Sequence, residues 1–112
     1  MRSSHAGAEA RGPALLFAAL GDPTRLWLVS RLCDDGPMPI MRLTAGSRLT
    51  RQAITKHLRV MERAGLVHGA RRGRESLWRL DQRRVRQARR YLDVISRQWD
   101  EKLARLRAFV ED

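Results

Sequence analysis

The chain has 112 residues, 43% apolar and 31% charged, with a formal net charge of +11. That length allows one ordinary domain, and that composition excludes a disordered tail. A single cysteine, Cys33, excludes an intrachain disulfide framework and suits a reducing cytoplasm.

The longest purely apolar run is Ala14–Leu20, far below the roughly 20 residues that cross a bilayer. It lies behind a polar segment and is followed by Gly21-Asp22-Pro23, which argues against a signal peptide. The expectation is a soluble, cytoplasmic protein without a membrane partner. Its charge is unevenly spread. Between Arg48 and Arg90 there are fourteen basic residues (thirteen Arg and Lys56) against Glu62, Glu75 and Asp81, while the remainder holds nine of each sign. A neutral body with one basic segment is the footprint of a polyanion binder. The plainer reading is a solvated, arginine-rich surface.

Residues 1–12 are small and polar and read as a flexible tail; residues 13–112 read as one domain. Pro13 opens a short helix, Ala14–Leu20, apolar on all sides, which needs cover on all sides. Gly21 stops it. Asp22 caps a second helix with Pro23 at its first position. That helix runs to about Leu32, with Leu26, Leu28, Val29 and Leu32 as core candidates, and Asp34-Asp35-Gly36-Pro37 breaks it. A third helix spans about Ile40–Ala45 and ends at Gly46. Thr50 caps a fourth that runs to Ala64 and stops at Gly65. Two strands, about Leu66–Ala70 and Ser76–Leu80, follow, joined by a polar turn over 71–75. Trp78 and Leu80 share a face that can pack on the core.

Asp81 caps the last helix, with Leu80 and Val85 placed as a hydrophobic staple. It runs to about Val110, roughly 43 Å at 1.5 Å per residue. Val85, Ala88, Leu92, Ile95, Trp99, Leu103, Leu106 and Val110 form a single stripe along it. A helix that long overhangs a body of this size, so the stripe reads as a homodimer seam. With the first helix it gives Leu15, Leu16, Phe17, Leu92, Ile95, Trp99, Leu103 and Leu106 as interface candidates.

On a helical wheel of the fourth helix, Ile54, Leu58, Met61 and Gly65 mark the buried face. Gln52, Lys56, Arg59 and Arg63 lie opposite, flanked by Arg51 and Thr55. Arginine can pair with guanine O6/N7, glutamine with adenine N6/N7, and threonine with a phosphate or a thymine methyl. A short helix, a turn at Gly46 and this helix make a helix-turn-helix, whose second helix offers its first turns to base edges. Alone, an ordinary amphipathic surface helix explains the pattern equally well. The hairpin changes that. Arg71, Arg72 and Arg74 cluster on a turn too polar to pack, as on a wing that lies along the backbone or enters the minor groove. The fold class is therefore mainly α with a small β-hairpin: a winged helix-turn-helix with a long C-terminal dimerisation helix. Arg51, Gln52, Thr55, Lys56 and Arg59 are the major-groove candidates. Thr50 is the cap and a phosphate contact, and Arg71, Arg72 and Arg74 form the wing. The partner is double-stranded DNA.

The segments LFAALGDPTRLWLVSRL, LTRQAITKHLRVMERAGLV and RRGRESLWRL resemble the ArsR/SmtB-type winged-helix transcriptional regulators of bacteria, over about Ala14 to Val110. The resemblance implies a homodimeric, operator-binding repressor that dimerises through its first and last helices. Gly73-Arg74-Glu75 with Trp78, and Tyr91-Leu92-Asp93 with Trp99, resemble the branch that usually has no known metal. Metal-sensing relatives carry a Cys-x-Cys pair near the third helix or Asp/His ligands on the last. Here Ile40–Ala45 and residues 82–112 contain no Cys or His.

Cys33, His5, His57 and His68 have no ligand spacing, whereas zinc needs three or four converging ligands. No metal or cofactor is expected. Cys33 reads as a buried apolar residue, and a redox switch would need a second subunit's thiol. His57 lies about 60° from the buried face at 100° per residue and reads as packed and hydrogen-bonded, with a phosphate contact as the alternative. His68 carries no specific signal. No nucleophile with a base, carboxylate pair or phosphate loop converges, which argues against an enzyme. Exposed stacking aromatics, the mark of RNA recognition, are scarce. Trp27, Tyr91 and Trp99 fit dimer packing, or the lining of an effector pocket. A non-specific DNA- or RNA-binding winged helix and a metal- or redox-responsive sensor are the alternatives. The residues do not specify the operator, the regulated genes, an effector, or activation against repression.

Overall fold

A computed structural model describes residues 12–111, so most of the expected N-terminal tail lies outside the described residues. Helix α1 covers residues 12–20 and begins at Gly12, one position before Pro13. It is followed by α2 (Pro23–Asp35), the short strand β1 (Met38–Pro39), α3 (Ile40–Thr44), α4 (Arg51–Arg63), β2 (Val67–Arg72), β3 (Glu75–Leu80) and α5 (Gln82–Glu111). The antiparallel sheet has the order β1-β3-β2. Among the described residues no helix is long and apolar enough to cross a membrane.

Helix boundaries follow from local chemistry. Asp22 accepts the backbone N–H of Arg25 at 3.0 Å, with Pro23 at the first turn, so α2 starts where a side chain satisfies an orphan donor. It continues past Leu32 to Asp35 and ends at Gly36 (φ 79°), whose N–H donates to the Leu32 carbonyl. Asp34 and Asp35 therefore belong to the helix, and the left-handed glycine is the true stop. Cys33, on this added turn, is exposed and not a core residue. Leu28 and Leu32 hold the buried face, while Leu26 is half exposed.

The core gathers Leu16 and Ala19 of α1, Leu28 and Leu32 of α2, Ile54, Leu58 and Met61 of α4, and Trp78 and Leu80 of β3, with Met38 beneath. Leu16 is 1% exposed. It therefore leaves the set of side chains that α1 can present to a partner, because it packs inside its own protomer. β1 has no counterpart in the sequence reading. Two residues carry no alternation, and Pro39 fits only because this strand lies at the sheet edge.

The hairpin strands are longer than expected. Arg71 pairs with Ser76 and Arg72 with Glu75, so only Gly73 and Arg74 form the turn. Gly73 has φ 63°, as the first central position of a II′ hairpin requires. Asp81 Oδ1 accepts from the backbone N–H groups of Arg83 and Arg84 at 2.9 and 3.3 Å, capping α5. Val85 and Ala88 pack partly on the core. Beyond them α5 projects, in a molecule 67 Å long, with no buried residue.

Candidate nucleic-acid interface

The α3–α4 turn is held from outside. Arg31 donates to the Ala45 carbonyl at 2.7 Å, and Ser47 Oγ accepts from the Leu49 N–H at 2.9 Å, leading the chain into the cap of α4. There Thr50 Oγ1 accepts from Ala53 N–H at 3.1 Å. These bonds fix the start of α4, which in a helix-turn-helix sets where its first turns point.

Arg51, Gln52, Thr55 and Lys56 come together around one shallow depression on the outer face of that start. Thr55 Oγ1 donates to the Arg51 carbonyl at 2.8 Å. Arg59 is placed differently. Its Nη1 lies 2.9 Å from Glu62 Oε1, and its guanidinium sits over the Trp78 ring, 5.6 Å from the centroid. It joins α4 to β3 as well as facing solvent. Arg71, Arg72 and Arg74 are exposed on the hairpin.

The basic side chains within 4 Å of a carboxylate among the described residues are His57 at Asp22, Arg59 at Glu62 and His68 at Asp81. Arg51, Lys56, Arg71, Arg72 and Arg74 therefore have no carboxylate within 4 Å among those residues. Uncompensated cations on a helix start and a neighbouring hairpin build a positive field that a polyphosphate backbone can neutralise.

Arg25 is a positioning residue that the sequence reading passed over. Its Nε donates to the Ala19 carbonyl at 2.6 Å and its Nη1 to His57 Nδ1 at 3.3 Å, so one side chain ties the end of α1 to α4. The Arg25 backbone N–H, followed by the nearby Arg25 charge, holds the Asp22 carboxyl below its ordinary value. His57 is thus hydrogen-bonded, 3.8 Å from Asp22 Oδ2. His68, read as carrying no signal, donates from Nε2 to Asp81 Oδ2 at 2.6 Å. That bond, followed by the backbone donors of Arg84 and Arg83, lowers the Asp81 carboxyl. Among the described residues no three His, Cys, Asp or Glu side chains are grouped to hold a metal; His5 lies outside them.

The interface candidates of α5 are exposed on the protomer: Leu92, Ile95, Trp99 and Leu106 are 46–61% accessible, and Leu103 is partly covered. Leu15 is half exposed, and Phe17 lies 5.7 Å from the Tyr91 ring. Trp27 packs partly on the core with Arg31 over its ring.

Residues 22–68 match the family described as bacterial regulatory protein, arsR family. The HTH-type transcriptional regulator YuzN of Bacillus subtilis is 40% identical over 65 residues, spanning 53% of this chain and 71% of that protein. An ArsR-like transcriptional regulator from Rhodococcus sp. RHA1 is 33% identical with a TM-score of 0.74, over 89% of this chain and 92% of that one. A homodimeric winged helix-turn-helix DNA-binding domain from Mycobacterium bovis shares the fold at 20% identity and a TM-score of 0.65, over 87% of this chain and 86% of its own.

Proposed function

Because the chain belongs to the arsR family of bacterial regulatory proteins, we propose that it represses transcription as a homodimer bound to a pseudo-palindromic operator. The chain is a transcriptional regulator with a winged helix-turn-helix DNA-binding domain, and not an enzyme. In the finer reading α4 enters the major groove with Arg51, Gln52, Thr55, Lys56 and Arg59, while Thr50 touches phosphate. Arg71, Arg72 and Arg74 follow the flanking backbone or minor groove. The domain runs from residue 13 to residue 112 and works in the cytoplasm.

The observation that carries this reading is the convergence of Arg51, Gln52, Thr55 and Lys56 on one exposed surface, with no carboxylate paired to either cation among the described residues. Dimerisation is supported by the exposed apolar stripe of α5 and by the homodimeric state of the Mycobacterium bovis domain. Two copies would present two α4 helices to half-sites about one helical turn apart. Repression then needs only that the dimer occupy promoter DNA.

The test is a fluorescence anisotropy titration of a labelled duplex from the gene's own upstream region. A scrambled duplex serves as competitor, at several salt concentrations. A preference of about a thousandfold or more is the expected result. Equal, steeply salt-dependent binding to both duplexes would point to a charge-driven architectural role.

A further inference from the structure

His68 of β2, the end of β3 and the first turns of α5 line an open cleft of about 880 Å³. Arg79 of β3 lines it, with Arg83, Arg86 and Arg90 of α5. None of these four has been placed in the DNA interface above. The one acid in the lining is Asp81, and both of its oxygens are engaged, Oδ2 by His68 and Oδ1 by the α5 backbone. A fifth arginine, Arg84, is bound to the Ala64 carbonyl and to Gln87. Four arginines from two elements therefore line one concavity, and none has a carboxylate within 4 Å among the described residues.

Four arginines on one cleft give it a positive field that a bound anion would neutralise. The lining is polar, unlike the largely apolar wall of most small-molecule pockets. Planar guanidinium forks suit the paired oxygens of a phosphate, and several of them suit more than one phosphate. We infer that the cleft between β3 and α5 binds phosphate groups, as a site separate from the α4 face and the wing tip. The phosphates have two sources, a free small molecule carrying linked phosphates or the backbone of DNA flanking the operator. Only the second source rests on the proposed function.

Two titrations on the full chain separate them. Inorganic pyrophosphate is followed by calorimetry, and the duplex by anisotropy at several salt concentrations. Both use the wild type, the double variant R83Q/R86Q, and the variant R97Q/R105Q, which removes two charges elsewhere on α5. Arg83, Arg86, Arg97 and Arg105 are all exposed on α5, and circular dichroism confirms that the variants fold. If the source is a free anion, R83Q/R86Q weakens pyrophosphate binding tenfold or more while R97Q/R105Q keeps it. If the source is DNA, pyrophosphate binding is weak throughout, and R83Q/R86Q alone lowers duplex affinity and flattens the salt slope by about two units. Two variants that behave alike in both titrations overturn the site.

Discussion

The guanidinium of Arg59 on α4 lies 5.6 Å from the ring centroid of Trp78 on β3, so the exposed face of the recognition helix is tied to the base of the wing. Trp78 is itself 5% exposed and part of the core. An arginine stacked on a ring anchored in this way contributes about 0.5–1 kcal/mol, and the Glu62 pair on the same helix adds a few tenths at most, about 0.2–0.5 kcal/mol. Arg59→Ala is expected to lower stability by about 1 kcal/mol in urea unfolding. Because that side chain is engaged within the protomer, it should cost less operator affinity than Arg51→Ala. The reverse order in duplex titrations would show that Arg59 leaves Trp78 for the DNA.

Gln52 lies at the start of α4 beside Arg51, Thr55 and Lys56, where an amide can make a bidentate contact with adenine. Gln52→Ala should lose about 1–3 kcal/mol of discrimination at one base pair in each half-site. A panel of single-base operator variants reads this directly. Uniform weakening on every duplex would remove α4 from the major groove.

Arg72 stands opposite Glu75 at the last pair before the turn, exposed and without a carboxylate within 4 Å among the described residues. A phosphate contact there carries no base information. Arg72→Ala should weaken binding to all duplexes alike and flatten the salt slope by about one unit. An unchanged slope would take this side chain off the backbone.

Several helix starts and stops were legible in the sequence because a single residue decides each. Asp22 with Pro23, Thr50, Gly65 and Asp81 all sit where the structure begins or ends an element. The exposed side of α4 was legible for a similar reason, since its buried side is fixed by Ile54, Leu58 and Met61 at helical spacing. What escaped depends on tertiary reach. Arg25 acts on carbonyls six and seven residues back and on a histidine 32 residues ahead, and no local pattern encodes that. The His68–Asp81 bond joins the first wing strand to the cap of α5, and it exists only once the hairpin has closed. Cys33 was misplaced because the inward face of α2 is set by what packs against Leu28 and Leu32.

The His68–Asp81 bond gives stability a pH dependence of defined sign. The hydrogen bond from His68, followed by the backbone N–H groups of Arg84 and Arg83, holds the folded carboxyl below its ordinary value of 3.8. A depressed carboxyl stabilises the fold above its unfolded pKa, and the contribution is lost as the pH falls through the folded value. Asp81→Asn keeps a capping oxygen but no charge, so it should destabilise the protein at pH 7. The gap to wild type should narrow between pH 7 and about pH 3, as the pH enters the range below the ordinary carboxylate value where that contribution is being lost. Urea midpoints at the two pH values measure this, and a gap of equal size at both would mean that the charge contributes nothing.

The apolar residues of α1 and α5 divide into two kinds that mutation can separate. Leu16 is buried in its own protomer, whereas Leu92 and Ile95 are about half exposed on α5. Leu16→Ala should therefore cost about 2–5 kcal/mol of folding stability, as core truncations do. Leu92→Glu and Ile95→Glu place a charge on the exposed stripe, where a buried seam would have to desolvate it. Each is expected to yield a folded monomer, seen by light scattering together with an unchanged helical circular dichroism signal. Loss of the second copy also removes the second half-site contact, so operator affinity should fall far more than either residue's distance from α4 would explain. A dimer that survives both substitutions would place the seam on another face of the molecule.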